Sequence, residues 1–352
     1  MKNNRVNFPL PFPLFMSFLS LALAFLFFAA LFSGSVFISL SGALNGLLFI
    51  LRRGGDEIAA ALIFEIRLPR VLLACLAGAS LGTSGACFQG LFRNSLADPY
   101  IIGASSGAAL GAALAISLGG SGVFGFFSVL GLPGVFAFAG SFGACFLAFI
   151  ISRAGGNSTS PLSLILAGTS ISAFCSALLA LILVIKDRSF IQIYYWLLGS
   201  LSGTTWLRLL SSLPFMLLGN AVIFLSARPL DLLLQGEQPS ESLGLDPSKT
   251  RYILALAATA PVAAAVSVSG VIGFVGLIAP HASRFFTGPG HRRLLPAAAL
   301  MGALLTLAAD TLGRSLMPPM ELPIGVITSL AGAPFFLFLL VHYRSRKVFH
   351  GA

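Results

Sequence analysis

The stretch LSLILAGTSISAFCSALLALILVI, residues 162–185, runs for 24 residues without a charged side chain. A helix of this length extends about 36 Å, because each residue adds about 1.5 Å. The hydrocarbon core of a bilayer is about 30 Å thick, and a run of this kind is typical of a transmembrane helix. The stretch therefore predicts a membrane span, and the rest of the chain repeats the pattern.

Nine further apolar blocks lie on either side of this stretch, and polar connections separate them. They predict an all-α, polytopic membrane helix bundle of about ten transmembrane helices, with residues 1–352 forming a single transmembrane domain. The candidate helices are 14–33, 68–92, 100–118, 134–152, 162–185, 209–226, 252–269, 271–286, 294–313 and 324–343. Two connections are long: residues 35–66, predicted to form an outer loop, and residues 227–250, predicted to form a cytoplasmic loop.

The composition supports this class of fold. Hydrophobic residues make up 57% of the 352 residues and charged residues only 9%, whereas soluble domains carry about 25% charged residues. So few charges cannot cover a water-facing surface, which excludes a soluble enzyme and a nucleic-acid-binding protein. The net charge of +10 comes from basic residues between apolar blocks, and we expect these to contact anionic lipid headgroups.

The basic residues also predict the orientation of the chain. With the N-terminus inside, 13 of the 21 Lys and Arg residues fall on the cytoplasmic side and 8 on the outer side. Cytoplasmic loops carry the excess of Lys and Arg in multi-pass proteins. We therefore expect both termini to lie in the cytoplasm.

Small residues recur at helical spacing in the second and third candidate helices. The glycines at these positions are Gly78, Gly82, Gly85, Gly90, Gly103, Gly107 and Gly111. Such spacing lets helix backbones approach closely within a membrane, so we expect tight helix packing here.

Residues that could carry chemistry are few. Asp310 lies near the outer end of the ninth candidate helix, Glu65 and Glu321 lie at outer helix ends, and candidate helices 3 to 8 lack an acidic residue in their apolar cores. An ion-coupled carrier needs intramembrane carboxylates along its pathway. Walker A and metal-ligand spacings are absent from the sequence. We therefore expect no catalytic residue, no metal and no cofactor bound by this chain.

Several segments resemble the FecCD-type permease subunits of binding-protein-dependent ABC importers for iron-siderophore, haem or cobalamin uptake. The resemblance covers residues 60 to 345, with Ser95 departing from the usual proline. It rests on RLPRVLLACLAGASLGTSGACFQGLFRNSLADPYIIGASSGAALG (Arg67–Gly111), SPLSLILAGTSIS (Ser160–Ser172), SGVIGFVGLIAPHASR (Ser269–Arg284) and ELPIGVITSLAGAPFFLFLL (Glu321–Leu340).

The resemblance implies a permease in the plasma (inner) membrane of a bacterium or archaeon. It implies a second copy of the chain as partner, a pair of cytoplasmic ATPase subunits that use ATP and Mg, and an external substrate-binding protein. Pairing with a related permease and the identity of the chelate stay open. The alternatives are an ion-gradient-driven secondary transporter, a membrane-embedded enzyme and an ABC exporter.

The polar loop, residues 227–250, is the most polar stretch of the chain and contains signals for short helices parallel to the membrane. The resemblance makes it the site where the ATPase couples to the permease, with an ordinary linker as the alternative. The residues proposed for this contact are Gly236, Glu237, Ser240 and Gly244.

Two further sets of residues are candidates for function. Thr159, Ser160 and Ser163 carry hydroxyls at the entry of an apolar helix and are candidates for an inner gate; bonding to their own helix is the alternative. The resemblance places Arg67, Arg70 and Arg314 against acidic residues of the binding protein. Their alternatives are snorkelling to headgroups and pairing within the chain with Glu65, Asp310 or Glu321.

Overall fold

The computed structural model describes residues 11–34, 57–118, 131–154, 161–186 and 189–348, and most of these residues are helical. A π-helical turn, Leu62–Arg67, joins α2 to α3, and a 3-10 turn, Pro99–Ile102, precedes α4. The helices are α1 Phe12–Phe32, α2 Glu57–Ala61, α3 Leu68–Leu91, α4 Ala104–Ser117, α5 Leu132–Ala154, α6 Pro161–Ile185, α7 Phe190–Leu197, α8 Trp206–Leu225, α9 Ala227–Gln235, α10 Glu237–Ser242, α11 Pro247–Ser269, α12 Val275–Thr287, α13 His291–Ser315 and α14 Ile324–Val348.

The predicted all-α membrane bundle is confirmed. Each of the ten candidate helices has a counterpart, and six of the described helices are long and apolar enough to cross a membrane: α1, α5, α6, α8, α11 and α13. α4 and α12 have 14 and 13 residues, fewer than the roughly 20 that a span needs. Ten membrane crossings therefore stay a prediction.

The predicted outer loop is wrong at its C-terminal end. Residues 57–66 are helical, because α2 continues through the π-helical turn into α3. Pro69 indicated a helix start in the sequence, since proline lacks the N–H that a helix interior needs. In the structure the turn widens just before it, with the Leu68 N–H donating to the Ile63 carbonyl, which is the pattern of a π-bulge. Residues 35–56 lie outside the described residues.

The core of the bundle is α3, which packs against α8, α11, α12 and α13. Its glycines allow the predicted close approach. A Cβ on Gly78 would lie 2.2 Å from the Gly302 carbonyl oxygen, and one on Gly85 would lie 1.8 Å from the Gly276 carbonyl oxygen. No larger residue fits at such distances without moving a helix, so the predicted tight packing is confirmed.

Two irregular segments, residues 92–103 and 270–274, meet beside α3. The Tyr100 hydroxyl donates to the Ile272 carbonyl over 3.1 Å, and a Cβ on Gly276 would lie 2.5 Å from Pro99 Cγ. Gly276 itself contacts α3 at Gly85, six residues before the end of that helix, which is about 9 Å along its axis. Irregular backbone at this depth is tolerated in a membrane only where protein buries it or where it lines a cavity.

Candidate functional site

The bundle has two ends with different chemistry. α3 begins next to Arg70 at one end and reaches Gly90 at the other, where a Cβ would meet His291 and Leu230 of α9. The twenty residues between them span about 30 Å, which matches a bilayer core. We call the first the arginine-cluster end, after Arg67, Arg70 and Arg314, and the second the polar-loop end.

At the arginine-cluster end, Arg70 pairs with two carboxylates. Its Nη2 lies 2.9 Å from Asp310 Oδ1, and its Nη1 lies 3.0 Å from Glu321 Oε2. Arg314 lies one turn after Asp310 and pairs with the second carboxylate oxygen at 3.1 Å. Asp310 is 2% exposed, so its charge depends on these partners.

Arg67 and Arg314 also fasten the end of α1. Arg67 donates to the Leu31 carbonyl over 2.7 Å. Arg314 donates to the carbonyls of Ala30 and Ser33, each over 3.2 Å. The last carbonyls of a helix have no partner within the helix, and basic side chains near its C-terminus stabilise them. These arginines therefore hold α1 against α3 and α13.

These contacts place the three candidate arginines inside the protein. Arg67, Arg70 and Arg314 are 5%, 9% and 3% exposed. The intrachain pairing that the sequence left open is present for Arg70 and Arg314, with Asp310 and Glu321 as the acids. Their contact with a binding protein stays a prediction.

At the polar-loop end, the short helices α9 and α10 form as the sequence predicted. The predicted loop is wrong at its C-terminal end, where residues 247–250 form the first turn of α11 because the Asp246 side chain caps that helix by accepting from the Lys249 N–H. Leu230 and Leu233 of α9 are buried in the core, and Arg93 Nε donates to the Leu233 carbonyl over 2.8 Å. Asp231 Oδ1 accepts from the His291 N–H over 2.8 Å and lies 2.7 Å from His291 Nδ1. The loop is therefore fastened to α3 and α13.

The environment of Asp231 shifts its titration. Partial burial pushes the pKa of the carboxyl up, but the hydrogen bonds from the His291 side chain and backbone more than offset this, and the pKa of Asp231 is lowered. The sequence carried no signal for this contact, because the two residues lie 60 positions apart.

The four residues proposed for ATPase contact differ in position. Ser240 is buried, and its hydroxyl donates to the Leu232 carbonyl over 2.8 Å, so it stabilises the loop from within. Glu237 is half exposed and pairs with Arg251 at 2.6 Å. Gly236 and Gly244 have φ of +127° and +82°, which L-residues rarely adopt. Between them, residues 241–244 are exposed to solvent, including Leu243 at 62%.

Of the three candidate gate residues, the structure describes one. Thr159 and Ser160 lie outside the described residues, and Ser163 is half-buried on α6. Further along α6, the hydroxyls of Thr169 and Ser170 donate to the Leu166 carbonyl over 3.0 and 2.9 Å. These two hydroxyls therefore form hydrogen bonds within their own helix, and the gate stays a prediction.

α6 and α14 present large apolar side chains away from the bundle. In the most apolar 18-residue stretch of α6, only 11% of the residues are buried inside the protein. The most exposed side chains on the two helices include Phe174, Val184, Leu330 and Leu337. In the part of the chain that the structure describes, the bundle leaves these four side chains open to lipid or to a second chain.

Comparison with known proteins agrees with this architecture. The FecCD transport family matches residues 22–342. The chain is 43% identical over 298 residues to the cobalamin import system permease protein BtuC of Halobacterium salinarum, covering 85% of this chain and 77% of that protein. It is 42% identical over 286 residues to the hemin transport system permease protein HmuU of Yersinia pestis, covering 80% and 84%.

A solved structure extends the likeness to the fold. An inward-facing metal-chelate type ABC transporter superposes with a TM-score of 0.79 at 34% identity, covering 94% of this chain and 99% of its own. The motif resemblance, the helix order and the relatives therefore agree over nearly the full length of the chain. This chain belongs to the FecCD transport family.

Proposed function

We propose that this chain is the permease subunit of an ATP-driven importer that moves a metal chelate across the plasma membrane. The observation that carries the proposal is the superposition, over 94% of the chain, on a metal-chelate type ABC transporter. The relatives named above are permeases for cobalamin and hemin, and the motif resemblance adds ferric siderophores, so the proposed cargo class comprises all three. In this proposal the metal is part of the cargo.

The ATPase subunits, which bind ATP and Mg, dock on the polar loop. In support, the loop is fastened to the bundle through Leu230, Asp231 and Leu233, while residues 241–244 stay exposed. A loop can pass a movement of the ATPase to the transmembrane helices only if the loop is rigidly attached to those helices. From the excess of basic residues we infer that this end, with both termini, lies in the cytoplasm.

The external binding protein docks on the arginine-cluster end. In support, the guanidinium groups of Arg67, Arg70 and Arg314 gather at this end around the carboxylates of Asp310 and Glu321. Charge complementarity sets orientation and association rate in such contacts. Because the arginines are buried, their charge acts through the electrostatic field at this face rather than by direct contact with the binding protein.

Transport in proteoliposomes tests the proposal. With ATPase, ATP and Mg inside right-side-out proteoliposomes and the binding protein outside, uptake of a chelate should depend on ATP and on the binding protein and should survive a proton or sodium ionophore. The variant Arg67→Gln keeps an N–H donor for the Leu31 carbonyl and removes the charge, so it should require more binding protein for half-maximal uptake, with a difference that shrinks as salt rises. Uptake that follows an ion gradient without ATP would instead identify a secondary transporter.

Two copies pair through the exposed apolar faces of α6 and α14, and the start of α6 forms the gate between them. A cysteine at Ser163, in a background without Cys75, Cys87, Cys145 and Cys175, should crosslink to its copy in one nucleotide state and separate in another. A cysteine at Leu218, exposed on α8, is the matched control and should not crosslink. Failure of Ser163→Cys in every state, with the complex intact, would place the gate and dimer contact elsewhere.

A further inference from the structure

A cleft opens at the arginine-cluster end between α5 and α8, above α11. Its upper part is a polar pocket of about 320 Å³, lined by Gln192, Tyr195, Trp196, Ser200, Ser202 and Arg208. Its lower part is an apolar pocket of about 170 Å³, lined by side chains that include Val135, Phe138, Phe215 and Ala264. Both parts share Gly134, Ser267 and Val268, so they form one continuous space.

The lining changes from polar to apolar in the same direction on two helices, while α5 contributes Pro133 at the upper end and Phe138 at the lower end. On α8 the change runs from Arg208 to Phe215. On α11 it runs from Ser269 back to Ala264. Seven residues of helix correspond to about 10 Å. The cleft therefore matches a ligand with a polar head at the helix ends and an apolar part about 10 Å deeper.

Arg208 gives the polar pocket its charge. Among the described residues, the Arg208 side chain donates one hydrogen bond, from Nη1 to the Gly203 carbonyl over 3.3 Å. None of the ion pairs among the described residues involves Arg208. The described lining contains no Asp or Glu. A guanidinium group binds phosphate oxygens through two parallel N–H donors. The pocket therefore favours an anionic phosphate over a zwitterionic head.

The remaining features suit the membrane interface. Tyr195 and Trp196 border the polar pocket, and aromatic residues of this type concentrate at the level of lipid headgroups. At the deep end, the rings of Phe138 and Phe215 meet with centroids 4.8 Å apart. Beyond this pair α8 exposes Leu218, so an apolar chain that leaves the cleft continues along a surface open to lipid.

We propose that this cleft binds an anionic phospholipid of the surrounding bilayer. The phosphate lies at Arg208, the glycerol near Ser200 and Ser202, and the first part of one acyl chain between Val135 and Phe215. The site is separate from the polar loop and the arginine cluster, and it does not depend on which chelate is carried.

Fluorescence of Trp196 tests the site in the full-length protein. Because the chain has two tryptophans, Trp206→Phe leaves Trp196 as the single reporter. The protein is placed in phosphatidylcholine nanodiscs doped with equal fractions of phosphatidylglycerol or phosphatidylcholine that carry bromine early in the acyl chain. One basic residue near the membrane surface gives about a fivefold preference for anionic lipid. Half-maximal quenching of Trp196 should therefore need about one fifth as much brominated phosphatidylglycerol as brominated phosphatidylcholine.

Four variants separate the possible causes. Arg208→Gln should remove the preference, Arg208→Lys should keep most of it, and Lys186→Gln, which removes a charge at the end of α6 outside the cleft, should leave it unchanged. Ser211→Phe, which fills the apolar part, should reduce quenching by both lipids. Equal quenching by the two lipids in the parent protein, or an unchanged preference in Arg208→Gln, would overturn the proposal. So would relief of quenching by millimolar glycerol phosphate, because a soluble anion would then be the ligand.

Discussion

Replacing Arg70 by methionine should lower the free energy of unfolding by about 3 kcal/mol, because it leaves a buried carboxylate without its main partner. Asp310 is 2% exposed and would keep only Arg314, at 3.1 Å. Glu321 would lose both of its hydrogen bonds from Arg70. The midpoint of thermal unfolding in detergent, followed by circular dichroism, measures the effect.

Two further variants connect the loss to the ion pair. Lys186→Met removes a positive charge from an exposed side chain at the same end and should leave the midpoint nearly unchanged. Adding Asp310→Asn to Arg70→Met removes the uncompensated charge and should recover part of the loss, because the cost comes mainly from the unpaired carboxylate. An unchanged midpoint in Arg70→Met, or no recovery in the double variant, would contradict this account.

The sequence predicted the helices well and their interactions less well, for physical reasons. Runs such as residues 162–185 have one stable conformation in lipid, since a helix satisfies every backbone group within the segment. The start of α2 at Glu57 was missed, because Pro69 is typical of a helix start and a π-bulge before it leaves no signal in a single sequence. Residues 271–274 were predicted as helix because they are apolar, whereas their backbone is irregular and the Ile272 carbonyl accepts from the Tyr100 hydroxyl.

Pairings at the two ends of the bundle depend on contacts between distant positions. Arg70 meets Asp310 across 240 residues and Glu321 across 251. Sequence reasoning named both acids as possible partners, but it could not choose between pairing and docking, since basic residues at a helix end are compatible with either. The glycine spacing on α3 predicted a close contact, while the partner glycines on α12 and α13 became evident only from the packing.

Replacing Gly244 by valine should reduce ATP-driven uptake by tenfold or more while the permease still folds. Gly244 follows α10 with φ of +82°, and the Leu245 N–H donates across the turn to the Ser240 carbonyl over 3.0 Å, as in a Schellman motif. A branched residue at this φ costs on the order of 1–3 kcal/mol, and about 1.4 kcal/mol corresponds to a tenfold change. The turn would rearrange and displace Leu243, the exposed apolar side chain that we expect the ATPase to contact.

A matched series separates backbone strain from a general loss of stability. Gly244→Asn should keep most of the uptake, because asparagine tolerates positive φ. Gly290→Val changes a glycine at the same end that has φ of −69° and open space around its Cβ position, so uptake should be unaffected. Leu243→Asp leaves the turn intact and should reduce co-purification of the ATPase, since it places a charge in an apolar contact. Co-purification of the ATPase and uptake of the chelate are both measured in each variant. If the loop links ATP hydrolysis to transport but does not bind the ATPase, the variants would lose uptake while co-purification stays normal. Normal uptake in both Gly244→Val and Leu243→Asp would show that the ATPase docks on another surface.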